Sequence, residues 1–185
     1  VTLVGVISAE TTLWLPDFRA DERTFQLLTQ VSGRAGRSKV EGEVIIQTYN
    51  EKHFVLRKVL ENDYKGFYAK EKDDREKMGY PPFTRIALIE TKDTSMEKAK
   101  GAAYDFYKEI IKYKNYLKIS DPTTAQIFKL VNNYRYHILI KSYKDKDPGG
   151  AILRKAILYS WTEYNKKSRY RDVKLFYDVD PQSIM

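Results

Sequence analysis

Short apolar runs and one helically spaced segment dominate the beginning of the chain. Residues 1–8 are almost continuously apolar, which is typical of a strand buried on both faces of a parallel sheet. Residues 18–32 carry apolar side chains every three or four positions, so we predict a helix there. Residues 43–49 form a second apolar run. The order strand, helix, strand predicts a βαβ unit, and because it begins at a bare strand we expect it to be the last part of a larger sheet.

Polar and small residues set the expected limits of this helix. Asp17 lies just before the first helical turn, where its carboxylate can accept hydrogen bonds from free N–H groups as an N-cap. Gly33 and Gly36 follow the last apolar position of the stripe and are expected to end the helix. Residues 9–16 are expected to form a loop between the first strand and the helix.

A break in the pattern follows two further helical stretches, which we predict at 51–60 and 63–78. Gly79 is suited to a helix C-cap, and Pro81 and Pro82 cannot continue a helix. We therefore predict a domain boundary at this point, with a first domain at 1–79 and a second domain at 80–185. The chain begins with valine and not with methionine, so we expect it to be a piece of a longer protein.

The second domain has a different order of predicted strands and helices. Alternation and helical spacing predict strands and helices in the order β-α-β-β-α-β, at 83–91, 95–113, 125–131, 134–142, 151–166 and 173–179. Asn132 and Asn133 tolerate a positive φ and are predicted to form a two-residue hairpin turn. This order is that of the ferredoxin-like split βαβ pattern. The predicted fold class is α/β followed by α+β.

The net charge of +8 is placed unevenly along the chain. Residues 1–79 hold 13 Lys and Arg against 13 Asp and Glu, whereas residues 80–185 hold 20 against 12 and carry the whole excess. A basic domain attracts polyanions such as nucleic acids. A lysine-rich solvated surface with no polyanionic partner is an equally good interpretation of charge alone.

Composition excludes several classes of site and of protein. Without cysteine the chain has no disulfide framework, no cysteine-based zinc site and no thiol nucleophile, and its two histidines suggest no metal cluster. No apolar run approaches the roughly 18 residues of a membrane span, and the first residues do not resemble a signal peptide. A reducing cytoplasm suits such a composition.

Basic residues alternate with other side chains along the predicted strand at 134–142. Arg135, His137, Leu139 and Lys141 share one face, and an apolar set shares the other. We expect the apolar face to pack on the helices and the basic face to point outward, where Lys129 and Lys174 can join it. This face is the predicted DNA-binding surface, with the four candidate residues Arg135, Lys141, Lys174 and Lys129.

The most specific stretch of the sequence is QVSGRAGR at 30–37. Arg34 and Arg37 each follow a glycine, and small residues let the backbone approach a partner closely. The planar guanidinium group carries a permanent charge and suits phosphate oxygens. The alternative is a basic helix C-terminus whose charge merely complements the helix dipole.

The same stretch resembles motif VI of the superfamily 2 helicases, Q-x-x-G-R-x-G-R. The segments that resemble the family of primosomal protein N′ (PriA), in the family's order, are VTLVGV at 1–6, PDFRADERTFQLLT at 16–29, GEVIIQTYN at 42–50, GYPPF at 79–83 and DVDPQS at 178–183. Glu10 departs from the pattern, which has an aspartate at the end of this loop, so the resemblance leaves the role of Glu10 open.

The resemblance implies that residues 1–79 are the end of a RecA-like lobe 2 and that residues near its motif VI serve ATP hydrolysis. Arg34 and Arg37 would face the γ-phosphate of ATP bound on the other lobe, Gly33 would lie beside the nucleotide, and Gln30 would couple the nucleotide state to lobe closure. The chain contains no G-x-x-x-x-G-K-[ST] loop and no Asp-Glu-x-His motif. We therefore expect ATP and Mg²⁺ in the full-length protein, zinc on its upstream cysteines, no cofactor on this fragment, and no ATP hydrolysis by the fragment alone.

The resemblance also implies partners for the second domain, which in this family resembles a ribosomal protein of the S10 type. The intact family member is a cytoplasmic 3′-to-5′ DNA helicase that restarts stalled replication forks by primosome assembly. Its partners are forked and single-stranded DNA, other primosome proteins and the acidic C-terminal tail of single-stranded DNA-binding protein. Such a tail needs a cation for its carboxylates and an apolar slot for its terminal ring, and Arg154 is the candidate cation.

Two interpretations without enzymatic activity remain open from the sequence. The chain could be a stand-alone RNA- or DNA-binding module whose glycine–arginine segment binds phosphates directly, since a ferredoxin-like domain can bind RNA on its sheet. No run of the sequence resembles the RRM signature, which counts against this alternative. The chain could also be a scaffold whose basic face docks on a protein.

Overall fold

A computed structural model of the chain describes residues 3–35 and 42–184, apart from the side chains of Arg34 and Ala35. The chain divides into two compact units, the first ending at Arg75 and the second beginning at Glu76. The first unit is a parallel α/β unit with three further helices, and the second is an antiparallel sheet with two long helices.

The first unit is built on a pair of parallel strands. Strand β1 (Leu3–Val6) pairs with β2 (Glu43–Ile46), with Leu3 opposite Glu43 and Val6 opposite Ile46. Helix α2 (Ala20–Ala35) lies between the two strands in the sequence. Parallel neighbours need a crossover connection, and an amphipathic helix supplies it while covering the apolar side chains of the sheet. The predicted βαβ unit is confirmed.

The loop predicted before α2 contains one turn of helix, α1 (Glu10–Leu13). The sequence does not reveal it because its anchors are distant: Ala9 N–H donates to the carbonyl of Gln47 at 3.2 Å, and Glu10 bonds to residues that follow β2. Asp17 behaves as a cap, since its Oδ1 accepts from the N–H of Arg19 at 3.0 Å just before α2 begins.

The prediction that Gly33 ends α2 is wrong, because the helix continues to Ala35. A glycine inside a helix costs about 1 kcal/mol relative to alanine. This cost does not stop a helix whose preceding turns are packed, and Phe25 and Leu28 are 4% and 1% exposed. Gly36 lies outside the described residues.

The core of the first unit forms where α2 meets helices α3 (Phe54–Leu60) and α4 (Tyr64–Met78). The Phe25 and Phe67 rings stack with their centroids 4.2 Å apart. The two helices follow the predicted stretches, although α3 begins three residues later than predicted. His53 sets that start, because its Nδ1 accepts from the N–H of Val55 at 3.4 Å.

The second unit is an antiparallel five-stranded sheet. Its strands are β3 (Thr84–Asp93), β4 (Lys118–Ile119), β5 (Thr123–Leu130), β6 (Asn133–Tyr143) and β7 (Lys174–Val179). The order is β4-β6-β3-β7, and β5 also pairs with β6. Its helices are α5 (Met96–Ile110), extended by a 3₁₀ turn at Ile111–Tyr113, and α6 (Ala151–Lys167). Every predicted element of this unit is present, and the short β4 is an addition.

The apolar residues of this sheet pack against α5 and α6. Phe106 on α5, Ile140 on β6 and Ala156 on α6 are completely buried at the centre of this core. Ser95 caps α5 by accepting from the N–H of Lys98 at 3.4 Å, and Gly79 has a φ of +63° after α4, as the sequence predicted. Local end signals and the apolar alternation therefore agree with the tertiary structure here.

The hairpin turn between β5 and β6 lies one residue earlier than predicted. Val131 and Asn132 have φ values of 45° and 59°, and Asn133 is already paired with Leu130. This register places Tyr134 beside Phe128 with their rings 5.2 Å apart, and Asn133 Nδ2 donates to the carbonyl of Val131 at 2.8 Å. Side-chain packing across the hairpin thus outweighs the reluctance of valine to take a positive φ.

Candidate functional site

The last two turns of α2 present the glycine–arginine segment. Gln30 and Gly33 are exposed, and nothing described lies within 4 Å of a Cβ built on Gly33. Gln30, Gly33 and Arg34 are three and four residues apart, so they share one face of the helix. The backbone of Arg34 belongs to the last turn, whereas its side chain and the whole of Arg37 lie outside the described residues.

Glu10 joins α1 to the segment that follows β2. Its Oε1 accepts from the hydroxyl of Thr48 at 2.6 Å and from the N–H of Tyr49 at 2.7 Å, and its Oε2 accepts from the hydroxyl of Ser8 at 3.2 Å. The hydrogen bond from Thr48, with the others, outweighs desolvation and lowers the pKa of Glu10 to about 2. Glu10 is therefore a carboxylate that holds two chain segments together.

We expect the Glu10→Gln substitution to lower the stability of the first unit at neutral pH and to leave it nearly unchanged at pH 2. The folded-state pKa of Glu10 lies near 2, below its usual 4.5, so its contribution is complete above pH 4.5 and is lost as the pH falls towards 2. Thermal unfolding, followed by Trp14 fluorescence in a Trp161→Phe background, measures the difference across this range.

The exposed Glu51 supplies the matched control for this measurement. A Glu51→Gln variant is expected to track the parent protein at every pH. A difference between the Glu10→Gln variant and the parent that stays constant from pH 7 to pH 2 would contradict the assigned role.

On the second unit, Arg135 and His137 surround the carboxylate of Glu90. Glu90 Oε2 accepts from Arg135 Nη2 at 2.6 Å and from Arg135 Nε at 3.0 Å, and it lies 2.8 Å from His137 Nε2. Burial alone would raise the pKa of Glu90, but the His137 and Arg135 contacts outweigh it and lower the pKa to about 2. The positive charge of Arg135 is therefore matched within the protein.

Lys141 is also engaged internally. Its Nζ donates to the carbonyl of Met78 at 3.0 Å and lies 3.4 Å from the centroid of the Tyr80 ring. Burial, with the nearby charge of Lys118, lowers the pKa of Lys141 to about 8. Lys141 is only 8% exposed, which is too little for a group that binds phosphate on an open face.

The expectation that Arg135, His137 and Lys141 form an outward basic face is therefore wrong. The alternation along β6 is as predicted, but the face opposite the helices is partly covered by other parts of the unit. Met78 and Tyr80 contact Lys141 there, and Ile86, which lies on the same face, is 1% exposed.

The two remaining candidates for DNA binding lie on opposite faces of the sheet. Lys174 is exposed, and its pairing with Lys92 places it on the face of Glu90, away from the helices. Lys129 is exposed but pairs with Tyr134 on the helix side, with its Nζ 4.8 Å from the Tyr134 ring centroid. The expectation that Lys129 joins the face of Arg135 is wrong, because Lys129 pairs with Tyr134, whose side chain lies on the helix side.

A pocket of about 370 Å³ lies between the start of α6 and the end of β7. Its walls are mainly apolar, and two arginines and one aspartate stand among them: the lining residues are Arg85, Gly149, Gly150, Leu153, Arg154, Ile157, Leu158, Tyr177, Val179 and Asp180. A site of this kind can take one apolar group of a ligand and a neighbouring carboxylate.

Asp147 and two glycines build the rim of the pocket. Asp147 is 4% exposed and accepts from the N–H groups of Ile152 and Leu153, which fixes the first turn of α6. Gly150 has a φ of +71°, and a Cβ there would meet Arg85 Cδ at 3.3 Å. The glycine therefore lets the Arg85 side chain lie flat against the rim.

The two arginines of the pocket differ in their partners. Arg85 donates to the carbonyls of Asp147 at 3.1 Å and Pro148 at 2.7 Å, so its guanidinium group is held in place. Arg154 is exposed and has no carboxylate partner among residues 3–35 and 42–184. The sequence prediction placed Arg154 at such a site but missed Arg85, because a residue at the start of a strand gives no local signal of a pocket 60 residues further on.

The described residues contain neither a metal-binding cluster nor a membrane-spanning helix. No group of three or more His, Cys, Asp or Glu within 3–35 and 42–184 is arranged to hold a metal ion. In the same part of the chain, no helix is both long and apolar enough to cross a membrane.

Residues 76–182 match the family model described as the primosomal protein N C-terminal domain. The chain is 38% identical over 193 residues to the replication restart protein PriA of Bacillus subtilis (strain 168), and the match covers 100% of the chain and 22% of the relative. It is 36% identical over 188 residues to the replication restart protein PriA of Haemophilus influenzae, with 100% and 24% covered.

A third relative, the replication restart protein PriA of Rickettsia conorii, is 36% identical over 183 residues, which cover 99% of the chain and 27% of the relative. The chain thus spans about a quarter of the length of the curated relatives that it matches. The family model covers more than half of the chain, and these relatives extend the similarity over nearly all of it. The chain therefore belongs to the PriA family of replication restart proteins.

Proposed function

We propose that this chain is the C-terminal part of an ATP-dependent 3′-to-5′ DNA helicase that restarts stalled replication forks by primosome assembly in the cytoplasm. The parallel strands β1 and β2 with α2 between them support the interpretation of the first unit as the end of a RecA-like lobe 2. The strand order β5-β6-β3-β7 and the two helices of the second unit support a ferredoxin-like, S10-like domain.

Within this helicase, the end of α2 supplies the groups that sense ATP. Arg34 and Arg37 face the γ-phosphate of the nucleotide on the other lobe, with Gln30 and Gly33 beside them. Among the residues that the structure describes, none comes within 4 Å of a Cβ at Gly33, and this supports the role because a partner surface has room to approach. ATP, Mg²⁺ and zinc belong to parts of the full-length protein that this sequence does not contain. The chain alone does not hydrolyse ATP.

The pocket between α6 and β7 binds the acidic C-terminal tail of single-stranded DNA-binding protein. The observation that carries this part of the proposal is the juxtaposition of Arg85 and Arg154 with the apolar side chains of Leu153, Ile157 and Val179. A tail that ends in an aromatic residue places its ring between the apolar walls and its carboxylates beside the guanidinium groups.

We expect the Arg154→Ala substitution to weaken binding of an acidic peptide ending in phenylalanine by about tenfold or more, because a charge-assisted hydrogen bond is lost. Fluorescence anisotropy of the labelled peptide measures the dissociation constant. Lys155, exposed and adjacent on α6 but absent from the pocket lining, is the matched control. Equal affinities for the parent, Arg154→Ala and Lys155→Ala proteins would refute the tail site.

The second unit also contacts forked DNA, and Lys174 is the candidate that remains exposed on the face originally assigned to this contact. Neutralising Arg135 or Lys141 would disturb internal contacts, so these variants cannot separate DNA binding from folding. For a Lys174→Gln protein binding a labelled fork, the slope of log binding constant against log salt concentration is expected to be shallower by about one. An unchanged slope would remove Lys174 from the DNA contact.

The stand-alone nucleic-acid-binding module is the alternative to this proposal. It predicts that the glycine–arginine segment itself binds DNA, so an Arg34→Ala variant of the chain would lose affinity for the fork. The helicase proposal predicts no such loss, because Arg34 serves the nucleotide. The same anisotropy measurement separates the two.

A further inference from the structure

Strand β7 is an edge of the five-stranded sheet. It pairs with β3 on one side, and no described strand pairs with its other side. Five of its six residues are exposed, including Phe176 and Tyr177 at 46% each and Val179 at 45%. An open edge with apolar side chains is a template for another extended chain.

The backbone groups that point away from β3 can be assigned from the register. The N–H of Asp180 donates to the carbonyl of Ile86, and paired residues alternate between bonded and non-bonded along an antiparallel ladder. The even-numbered residues of β7 therefore bond to β3. Leu175, Tyr177 and Val179 direct their N–H and C=O groups outward, towards an added strand.

The pocket opens directly onto this edge. Tyr177 and Val179 line the pocket and also belong to the outward-directed set. Beyond the pocket, α6 continues beside β7, since the Trp161 ring meets the Tyr177 ring edge to face with centroids 5.5 Å apart. Leu158, 52% exposed, lies between these positions on α6. Edge strand and helix together form a groove that leads away from the pocket.

Positive charge lies near both ends of strand β7, at the pocket on the helix side and at Lys174 on the opposite face of the sheet. Arg85 and Arg154 lie at the pocket, and Lys174 is exposed at the opposite end of β7 beside its partner Lys92, whose Nζ lies 4.6 Å from the Phe176 ring centroid. The acidic residues along this edge are Asp178 within the strand and Asp180 in the pocket lining. This distribution suits an extended peptide that has acidic residues towards both of its ends.

We propose that an acidic peptide whose C-terminal residue occupies the pocket continues along β7 as an added sixth strand. Because its C-terminus lies at the Val179 end, the peptide runs parallel to β7. The inference rests on the proposed tail-binding function and specifies the conformation, direction and length of the bound ligand. Six residues of strand span roughly 20 Å, so about six residues at the C-terminal end of the peptide, including the one in the pocket, lie along β7.

The probes are labelled peptides of alternating aspartate and valine that end in phenylalanine with a free carboxylate. One has nine residues and one has three. Two further nine-residue peptides carry N-methyl groups on every second amide. One is methylated at the odd-numbered residues and the other at the even-numbered residues. In a parallel ladder only one set of peptide amides faces β7. Binding is measured by anisotropy, and hydrogen exchange of the 185-residue chain is measured with and without peptide.

We expect the nine-residue peptide to bind at least about tenfold more tightly than the three-residue peptide, since several backbone hydrogen bonds are added. One N-methylated peptide loses about tenfold in affinity and the other less than about twofold. The amides of Leu175, Tyr177 and Val179 become protected from exchange on binding, whereas the exposed amides of the β5–β6 turn do not.

Equal affinities for the long and short peptides, or equal effects of the two methylation patterns, overturn the added strand. If the short peptide still binds and the Arg154→Ala substitution weakens its binding, the proposed function of the pocket is retained and only the added strand is refuted. If neither peptide binds, the pocket function itself fails and the added strand fails with it. A nine-residue peptide that binds more tightly than the three-residue peptide only at low salt, without protecting the β7 amides from exchange, would show attraction by charge alone. That result would also refute the added strand.

Discussion

Replacing Arg34 by alanine in the full-length protein is expected to lower the turnover number for ATP hydrolysis by about a thousandfold, the lower end of the range for an arginine that stabilises phosphoryl transfer. The expectation follows from the proposed function, in which this guanidinium group stabilises the charge of the phosphoryl-transfer transition state. Arg34 shares a helix face with Gln30 and with the open surface at Gly33. The steady-state rate of phosphate release with single-stranded DNA present measures the effect.

Arg57 is the matched control because it is an exposed helical arginine of the same unit. An Arg57→Ala protein is expected to keep its ATPase rate. The melting temperature of the Arg34→Ala protein is expected to equal that of the parent, which separates lost chemistry from lost folding. A rate within a few-fold of the parent would mean that Arg34 is only a basic helix terminus.

Replacing Phe106 by alanine is expected to lower the free energy of unfolding of the second unit by about 3–5 kcal/mol. Phe106 is completely buried, and its ring packs 6.2 Å from the Tyr164 ring between α5 and α6. Truncation removes this apolar surface and leaves a cavity that the sheet and two helices cannot close. Urea denaturation, followed by Trp161 fluorescence in a Trp14→Phe background, measures the change.

Tyr104 lies on the same helix and is 42% exposed, so it tests whether the loss depends on burial. A Tyr104→Ala protein is expected to lose less than about 1 kcal/mol. A loss below about 1 kcal/mol for Phe106→Ala as well would show that the second unit does not depend on the core between its sheet and its helices.

From the sequence alone, the family and most of the helices and strands could be predicted, although α1 and β4 could not. Apolar spacing places helices and strands because a buried face must recur with the period of its element, and Ser95 and Gly79 act at helix ends through contacts within a few residues. The alternation along β6 likewise separates Ile138 and Ile140 from Arg135 and Lys141 correctly. Each of these features depends on neighbours that are close in the sequence.

Only the tertiary structure decided which charged residues are available to a partner. Arg135 meets Glu90 from another strand, and Lys141 meets Met78 and Tyr80, so a strand face that looks basic in the sequence is already paired. Lys129 lies on the helix side because it pairs with Tyr134, and paired residues of neighbouring strands direct their side chains to the same face.

The pocket depends on tertiary structure for the same reason. Arg85, Arg154 and Val179 come from the start of β3, from α6 and from the end of β7, and they meet because β7 returns beside β3 under α6. The sequence could suggest Arg154 as a cation for an acidic tail, but a pocket is a property of surfaces brought together by long-range pairing. Local spacing in the sequence predicts the helices and strands, whereas contacts between distant segments determine the exposure, direction and partners of each side chain.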